Sequence, residues 1–472
     1  MTAAPGHPPR REVLRGACLV AGVAVATLAG ARLATLRHRL PPYLLSEGLA
    51  VGRDGVVRVL PVGSRLDYVA GTRVPTAATD PLVMDRTERS ALIDAALERR
   101  AGAAIPSGPW HDLAESALDD LLALTSLRLA QDDAATLVYP SGSVIAGPVS
   151  IWRYTWPRDA AFAAAALSAV GLRHEALQVL DRLAALMRAD GSFQARYTAD
   201  GGVPDDRSPQ TDGTGWFLWA AGRILLSELA AVGATSSEPE GSATAGPVPS
   251  GDLAASLGTA AARLLAVTGS ATRLPEPSPD YWEVEETRLT LGTAAPVLLG
   301  LEAAARLADA GLLGVAGAED GAIPFADALA RRAREVRVAV EGAFAPHWGR
   351  HAGRDDVDAA LCWVLPPFTE PLAGARQART TLVTRLARGS GGLAPGSSWR
   401  DDGVSWTPET ALVAWSAQAL GLADEASQLR KWLTVSCTAV GALPEKVAAT
   451  GAPAGPAPLV WTCALVILAA CD

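Results

Sequence analysis

Three stretches of this chain, Trp216–Leu226, Val297–Leu301 and Leu459–Ala470, are apolar almost all the way round a helix. A helix without a polar face must be covered on every side. Other stretches carry a single apolar stripe at helical spacing: Phe162, Ala166 and Ala169; Ala176, Leu180, Leu183 and Met187; Phe325, Leu329, Ala333, Val336 and Val340. Both kinds in one chain predict two layers, with buried helices inside and amphipathic helices outside. The 472 residues exceed one ordinary core but suit one large toroid or two domains. From about Asp85 onward the pattern predicts helices of similar length, paired as hairpins.

The N-terminal region reads differently. Pro9-Arg10-Arg11-Glu12-Val13-Leu14-Arg15 precedes the uncharged apolar run Gly16–Ala31, in the manner of a twin-arginine export signal. The run is somewhat short of the ~20 residues that span a bilayer. Ala29-Gly30-Ala31 offers a signal-peptidase site, so the segment is either cut or kept as a membrane anchor. The expected location is extracytoplasmic, secreted or membrane-anchored. Gly48–Leu60 alternates loosely, and Asp54-Gly55 is a hairpin signal between two short strands. Gly233–Asp252 is rich in Ser, Gly, Pro and Ala and predicts a surface loop. The expected organisation is 1–44 export signal or anchor, 45–85 small β element and linker, and 86–472 helical domain.

A net charge of −9 offers no basic excess for phosphates, so nucleic acid is not an expected partner. The 13 Trp outnumber the 6 Tyr and 6 Phe taken together. Several stand beside acidic residues, which suits a ligand with polar edges and apolar faces, such as a sugar. Cys362, Cys437, Cys463 and Cys471 show no metal-ligand spacing, and no metal or organic cofactor is expected; a disulfide among the last three stays open.

Five loops carry the unusual residues. In Trp152-Arg153-Tyr154-Thr155-Trp156-Pro157-Arg158-Asp159, Asp159 is either a helix N-cap or, with Arg158, a charged clamp on sugar hydroxyls between Trp152 and Trp156. In Pro209-Gln210-Thr211-Asp212-Gly213, Asp212 can cap a helix, but Gln210 has no capping role. Pro279–Glu286 holds Glu283, Glu285 and Glu286 beside Tyr281 and Trp282; carboxylates ahead of a helix favour its dipole, and a carboxyl kept protonated suits a general acid. Trp399-Arg400-Asp401-Asp402 leads to Trp406-Thr407-Pro408-Glu409, where Pro408 signals a helix start and gives Glu409 a structural place. Last, Glu445 follows Pro444 in a loop between two helices.

In this order the motifs resemble glycoside hydrolase family 15, the glucoamylases and their bacterial relatives, over about residues 110–470. Tyr154-Thr155-Trp156-Pro157-Arg158-Asp159 is similar to the family's segment that binds the non-reducing glucose. Pro209-Gln210-Thr211-Asp212-Gly213 resembles a second family motif, Trp282-Glu283 the segment of the general acid, Glu445-Lys446-Val447 that of the base, and Trp461-Thr462 a pair in the closing helix. The chain departs from the family in Lys446, where Gln is usual, and in Pro157. The upstream β-sandwich of many bacterial members is missing or reduced to residues 45–85.

The resemblance implies an all-α (α/α)6 toroid and an exo-acting, inverting hydrolase of α-linked glucosides. It implies Glu283 as general acid and Glu445 as general base, with Trp156, Arg158, Asp159, Gln210, Asp212, Trp282, Glu285 and Arg400 as sugar contacts. The partner would be a disaccharide or oligosaccharide. A glycoside phosphorylase on the same toroid and a non-catalytic carbohydrate-binding envelope protein are the competing expectations.

Overall fold

The computed structural model describes residues 42–131, 135–235, 249–314 and 322–472. Strands β1 (Gly48–Val51) and β2 (Val56–Leu60) come first, then helices α1 (Arg86–Arg100) and α2 (His111–Ala123), and strands β3 (Arg128–Ala130) and β4 (Thr136–Val138). Helices α3 (Pro157–Ala169), α4 (Arg173–Leu186), α5 (Asp212–Thr235), α6 (Gly251–Val267), α7 (Leu291–Asp309) and α8 (Ala322–Phe344) follow. After a 3-10 turn at Ala359–Val364 come α9 (Ala375–Arg379), α10 (Leu382–Leu386), β5 (Ser405–Trp406), α11 (Thr407–Ala419), α12 (Ala423–Val435), β6 (Lys446–Val447), β7 (Pro453–Ala454) and α13 (Val460–Cys471).

The helix boundaries follow the residues. Helices α3 and α11 each open with Pro157 or Pro408 in the first turn, where a missing N–H costs nothing. Each ends just before a glycine with positive φ, Gly171 or Gly421, and the chain turns back into α4 or α12. Among the described residues α3, α5, α7, the 3-10 turn, α11 and α13 pack in succession, and α13 returns to α3, closing a ring. Outside it lie α4, α6, α8, the short pair α9 and α10, α12, and α2, which covers α13. This is the expected (α/α)6 toroid.

The layers show in burial. Every residue of α13 from Val460 to Ala469 is buried, whereas α4 buries only the stripe Ala176, Val179, Leu180, Leu183 and Leu186. Each fully buried Leu or Val contributes roughly 1.5–3 kcal/mol. The stripe expected at Phe162, Ala166 and Ala169 is not one: α3 is buried all round from Pro157 to Leu167, and Ala169 is exposed. Small alanines let α3 fit the crowded inner ring on every side, so no polar face marks its period. Inner helices α5 and α7 approach through glycine. A Cβ on Gly215 would sit 2.2 Å from the Pro296 carbonyl oxygen.

The hairpin expected at Asp54-Gly55 joins β1 to β2, with both turn residues at positive φ. It is not a separate element. Strand β2 pairs in parallel with β3, which pairs with β4, so residues far along the chain complete the sheet. Ser46 Oγ also donates to the Ala457 carbonyl, and Thr438 Oγ1 to that of Glu47. Tyr43–Asp472 accordingly forms one compact unit. The export segment, residues 1–44, falls outside the described residues up to position 41. Most of the predicted loop Gly233–Asp252 does so too, although α5 extends to Thr235 and Ser250 caps α6. Among the described residues Cys362, Cys437, Cys463 and Cys471 stand as free thiols.

Candidate active site

The N-terminal ends of α3, α11 and α13 and the loops ahead of α5 and α7 converge on one side of the ring. Between them lies a cavity of about 210 Å³. Its wall includes Trp152, Trp156, Arg158, Asp159, Trp282, Glu283, Trp399, Trp406, Glu409, Glu445 and Trp461. The positive ends of the α3 and α11 dipoles favour carboxylates in their first turns, where Asp159 and Glu409 stand. Other tryptophans, Trp216, Trp348, Trp363 and Trp415, are plain core.

Glu283 sits in the loop before α7, with φ +57 in the left-handed region. Such a conformation costs a non-glycine residue about 1–3 kcal/mol and persists where its surroundings over-determine it. Here they do. Gln210 Nε2 donates to Glu283 Oε1 at 2.8 Å, and Arg207 Nη1 donates to Oε2 at 2.7 Å. Behind the loop, buried Arg350 donates to Asp280, Glu286 and Asp358 at 2.7–3.1 Å. Its guanidinium lies 3.7 Å from the Trp282 ring centroid. Gly396 leaves room for Trp282, since a Cβ there would come within 2.5 Å of the ring.

Glu445 enters from the loop at the edge of β6 and is 8% exposed. Its backbone is pinned on both sides, donating to the Pro456 carbonyl and accepting from Thr407 N–H. Trp152 Nε1 donates to Oε1 at 3.2 Å. The Lys446 ammonium stands 3.0 Å from Oε2, as an ion pair and not an aligned hydrogen bond, and lies over the Trp406 ring. Gly455, at φ +78, faces the same carboxylate; a Cβ there would be 2.7 Å from Oε2.

Arg158 and Asp159 form the third part. The N-cap of α3 is Trp156, so Asp159 is not a cap; it accepts from Arg158 Nη2 at 3.0 Å. Burial raises the Asp159 carboxyl above its ordinary range and Arg158 pulls it back. The Arg158 guanidinium packs on Trp461 at 4.7 Å. Its Nε and Nη1 are buried with no hydrogen-bond partner among the described residues, so donors remain for a ligand.

Of the expected contacts, Trp156, Arg158, Asp159 and Trp282 line the cavity with both glutamates, and four do not. Gln210 lies behind Glu283 and holds it. Asp212 is buried at the start of α5, its carboxyl pushed up to about 7 by burial, with Arg158 opposing and Asp280 and Glu283 adding. Glu285 is exposed and accepts from Ser208 Oγ. Arg400 is exposed beside Trp399. In exchange the wall contains Arg196, Arg207 and Glu409, which the sequence did not single out for the site. Arg207 stands in the quoted acidic loop, and Glu409 was hidden by its helix-start signal. Arg196, stacked on Tyr154 and Trp156, gave no signal.

No protein-family model and no curated protein matches the chain. Among solved structures, a glycosidase variant in complex with glucose is similar at TM-score 0.56 and 22% identity, covering 76% of this chain and 96% of that one. Glucoamylase from Saccharomycopsis fibuligera gives 0.59 and 14%, covering 78% and 96%. A bacterial glucoamylase complexed with acarbose gives 0.58 and 15%, covering 82% and 59%. The likeness is one of fold.

Proposed function

We propose that this chain is an exo-acting, inverting glycoside hydrolase of α-linked glucosides, of the family 15 type. The observation that carries the reading is that Glu283 and Glu445, 162 positions apart, line one cavity together with the Arg158–Asp159 pair and six indoles. The sugar complexes of the structural neighbours support a ligand of this class.

Arg158 and Asp159 present donors and acceptors to the hydroxyls of the terminal sugar, and indole faces cover its apolar sides. Glu283 passes its proton to the glycosidic oxygen as the bond to the anomeric carbon breaks. Glu445 takes a proton from the water attacking the opposite face, so the anomeric configuration inverts. Arg207, with its side chain 38% exposed, holds Glu283 Oε2 from the solvent side and yields that oxygen to the leaving group. The N-terminal segment, residues 1–44, is proposed as an export signal, either cut or kept as a membrane anchor, that places the enzyme outside the cytoplasm.

The test is glucose release from maltose, maltotriose, trehalose and isomaltose by the purified protein, beside Glu283→Gln and Glu445→Gln. Release lost in both variants supports the reading. No release by the parent from any of the four, with sugar still bound, favours the non-catalytic alternative.

A further inference from the structure

Glu409 plays no part in the mechanism above, yet it stands in the cavity wall at 3% exposure. Its position is fixed by Pro408 and the first turn of α11. Its Oε2 is buried and takes no hydrogen bond among the described residues. A buried carboxyl oxygen left without a partner carries a desolvation cost, and here the residue lines the cavity, where a ligand hydroxyl can satisfy it.

We propose that Glu409 is a third carboxyl contact to the sugar, its Oε2 hydrogen-bonding a hydroxyl of the residue that Arg158 and Asp159 clamp. The inference rests on the proposed glycosidase reading and adds a specificity-determining residue to it. The charged and titratable groups around Glu409 are Glu445, Arg158 on α3, Asp358 ahead of the 3-10 turn, and Tyr281 in the loop before α7. Burial comes first and pushes its carboxyl up to about 8; the charges of Glu445 and Asp358 add, and Arg158 opposes. Glu409 is therefore a neutral acid at pH 7. It can donate a hydrogen bond to a hydroxyl oxygen, which an ionised carboxylate cannot do. Glutamine mimics this neutral form; leucine does not.

The experiment measures maltose affinity by calorimetry in the Glu283→Gln protein, from about pH 6 to about pH 9.5, with Glu409, Glu409→Gln or Glu409→Leu. With Glu409, affinity falls about three- to tenfold as pH rises past about 8. With Glu409→Gln it stays level, and with Glu409→Leu it is weaker by a similar factor throughout. Infrared difference spectra at pH 7 show a carboxylic-acid band that Glu409→Gln removes, a readout independent of sugar. Binding indifferent to Glu409→Leu, or equal pH dependence with Glu409 and Glu409→Gln, overturns the proposal, as does the absence of that band. Maltose hydrolysis by the parent separates the two readings. Hydrolysis with binding indifferent to Glu409 removes only this contact; Glu409-dependent binding without hydrolysis removes only the hydrolase.

Discussion

Gln210 and Glu283 are 73 residues apart in sequence, and the amide of one holds the carboxylate of the other at 2.8 Å. The glutamine was expected at the sugar; it instead stands behind the group proposed to do the chemistry. Its role is to fix the position of Oε1 while Arg207 holds Oε2. A carboxyl misplaced by about 1 Å can cost on the order of 100-fold in rate. Gln210→Ala should therefore lower kcat by about 10- to 100-fold with little change in KM. Steady-state kinetics on the best disaccharide checks this; a rise in KM alone would return Gln210 to the sugar.

Arg350 is the anchor of the same loop. It is 1% exposed and serves Asp280, Glu286 and Asp358 while stacking on Trp282. Removing it would strand buried carboxylates. Arg350→Met should destabilise the protein by about 3–5 kcal/mol. Urea unfolding of parent and variant checks the value, and a loss under 1 kcal/mol would deny the anchor its importance.

The toroid and some of the helix entries that wall the cavity were legible because each had a local signature. Apolar runs without a polar face marked inner helices, and Arg158 with Asp159 marked a helix entry carrying charge. The closing of β3 onto β2 was not legible, since three-residue strands have too few positions to show alternation. Nor was Glu409: first-turn glutamates after a proline are common, and only its burial and its missing partner set it apart. Arg350 lay in a stretch without any unusual spacing, and its value comes from three carboxylates that folding brings to it.

Gly455 gives a steric test of the proposed base. A Cβ there would press on Glu445 Oε2 at 2.7 Å, and φ +78 is unfavourable for alanine. Gly455→Ala should cost about 1–2 kcal/mol of stability and lower kcat at least tenfold. Activity equal to that of the parent in the folded variant would show that Glu445 need not hold this position.

Two buried carboxyls make stability depend on pH. Glu409 is pushed from an ordinary 4.5 to about 8, and Asp212 from 3.8 to about 7. The folded state thus keeps protons that the unfolded chain releases over these intervals. Their contribution to stability falls as pH rises from about 4 to about 8 and then levels. Glu409→Gln and Asp212→Asn should each raise Tm at pH 7.5 relative to the parent, by a free energy on the order of a few kcal/mol. At pH 4 the gain should shrink towards zero. Melting curves at the two pH values check the sign; an equal gain at both would remove the titration as its cause.

The account stands on Glu283 and Glu445 acting from opposite sides of one sugar. The most direct measurement is a proton NMR time course of maltose hydrolysis by the parent, Glu283→Gln and Glu445→Gln, reading the anomer released first. Inversion at an α-linkage predicts β-glucose before mutarotation, with release slowed at least about 1,000-fold in each variant. α-Glucose as the first product, or either variant turning over like the parent, would contradict it.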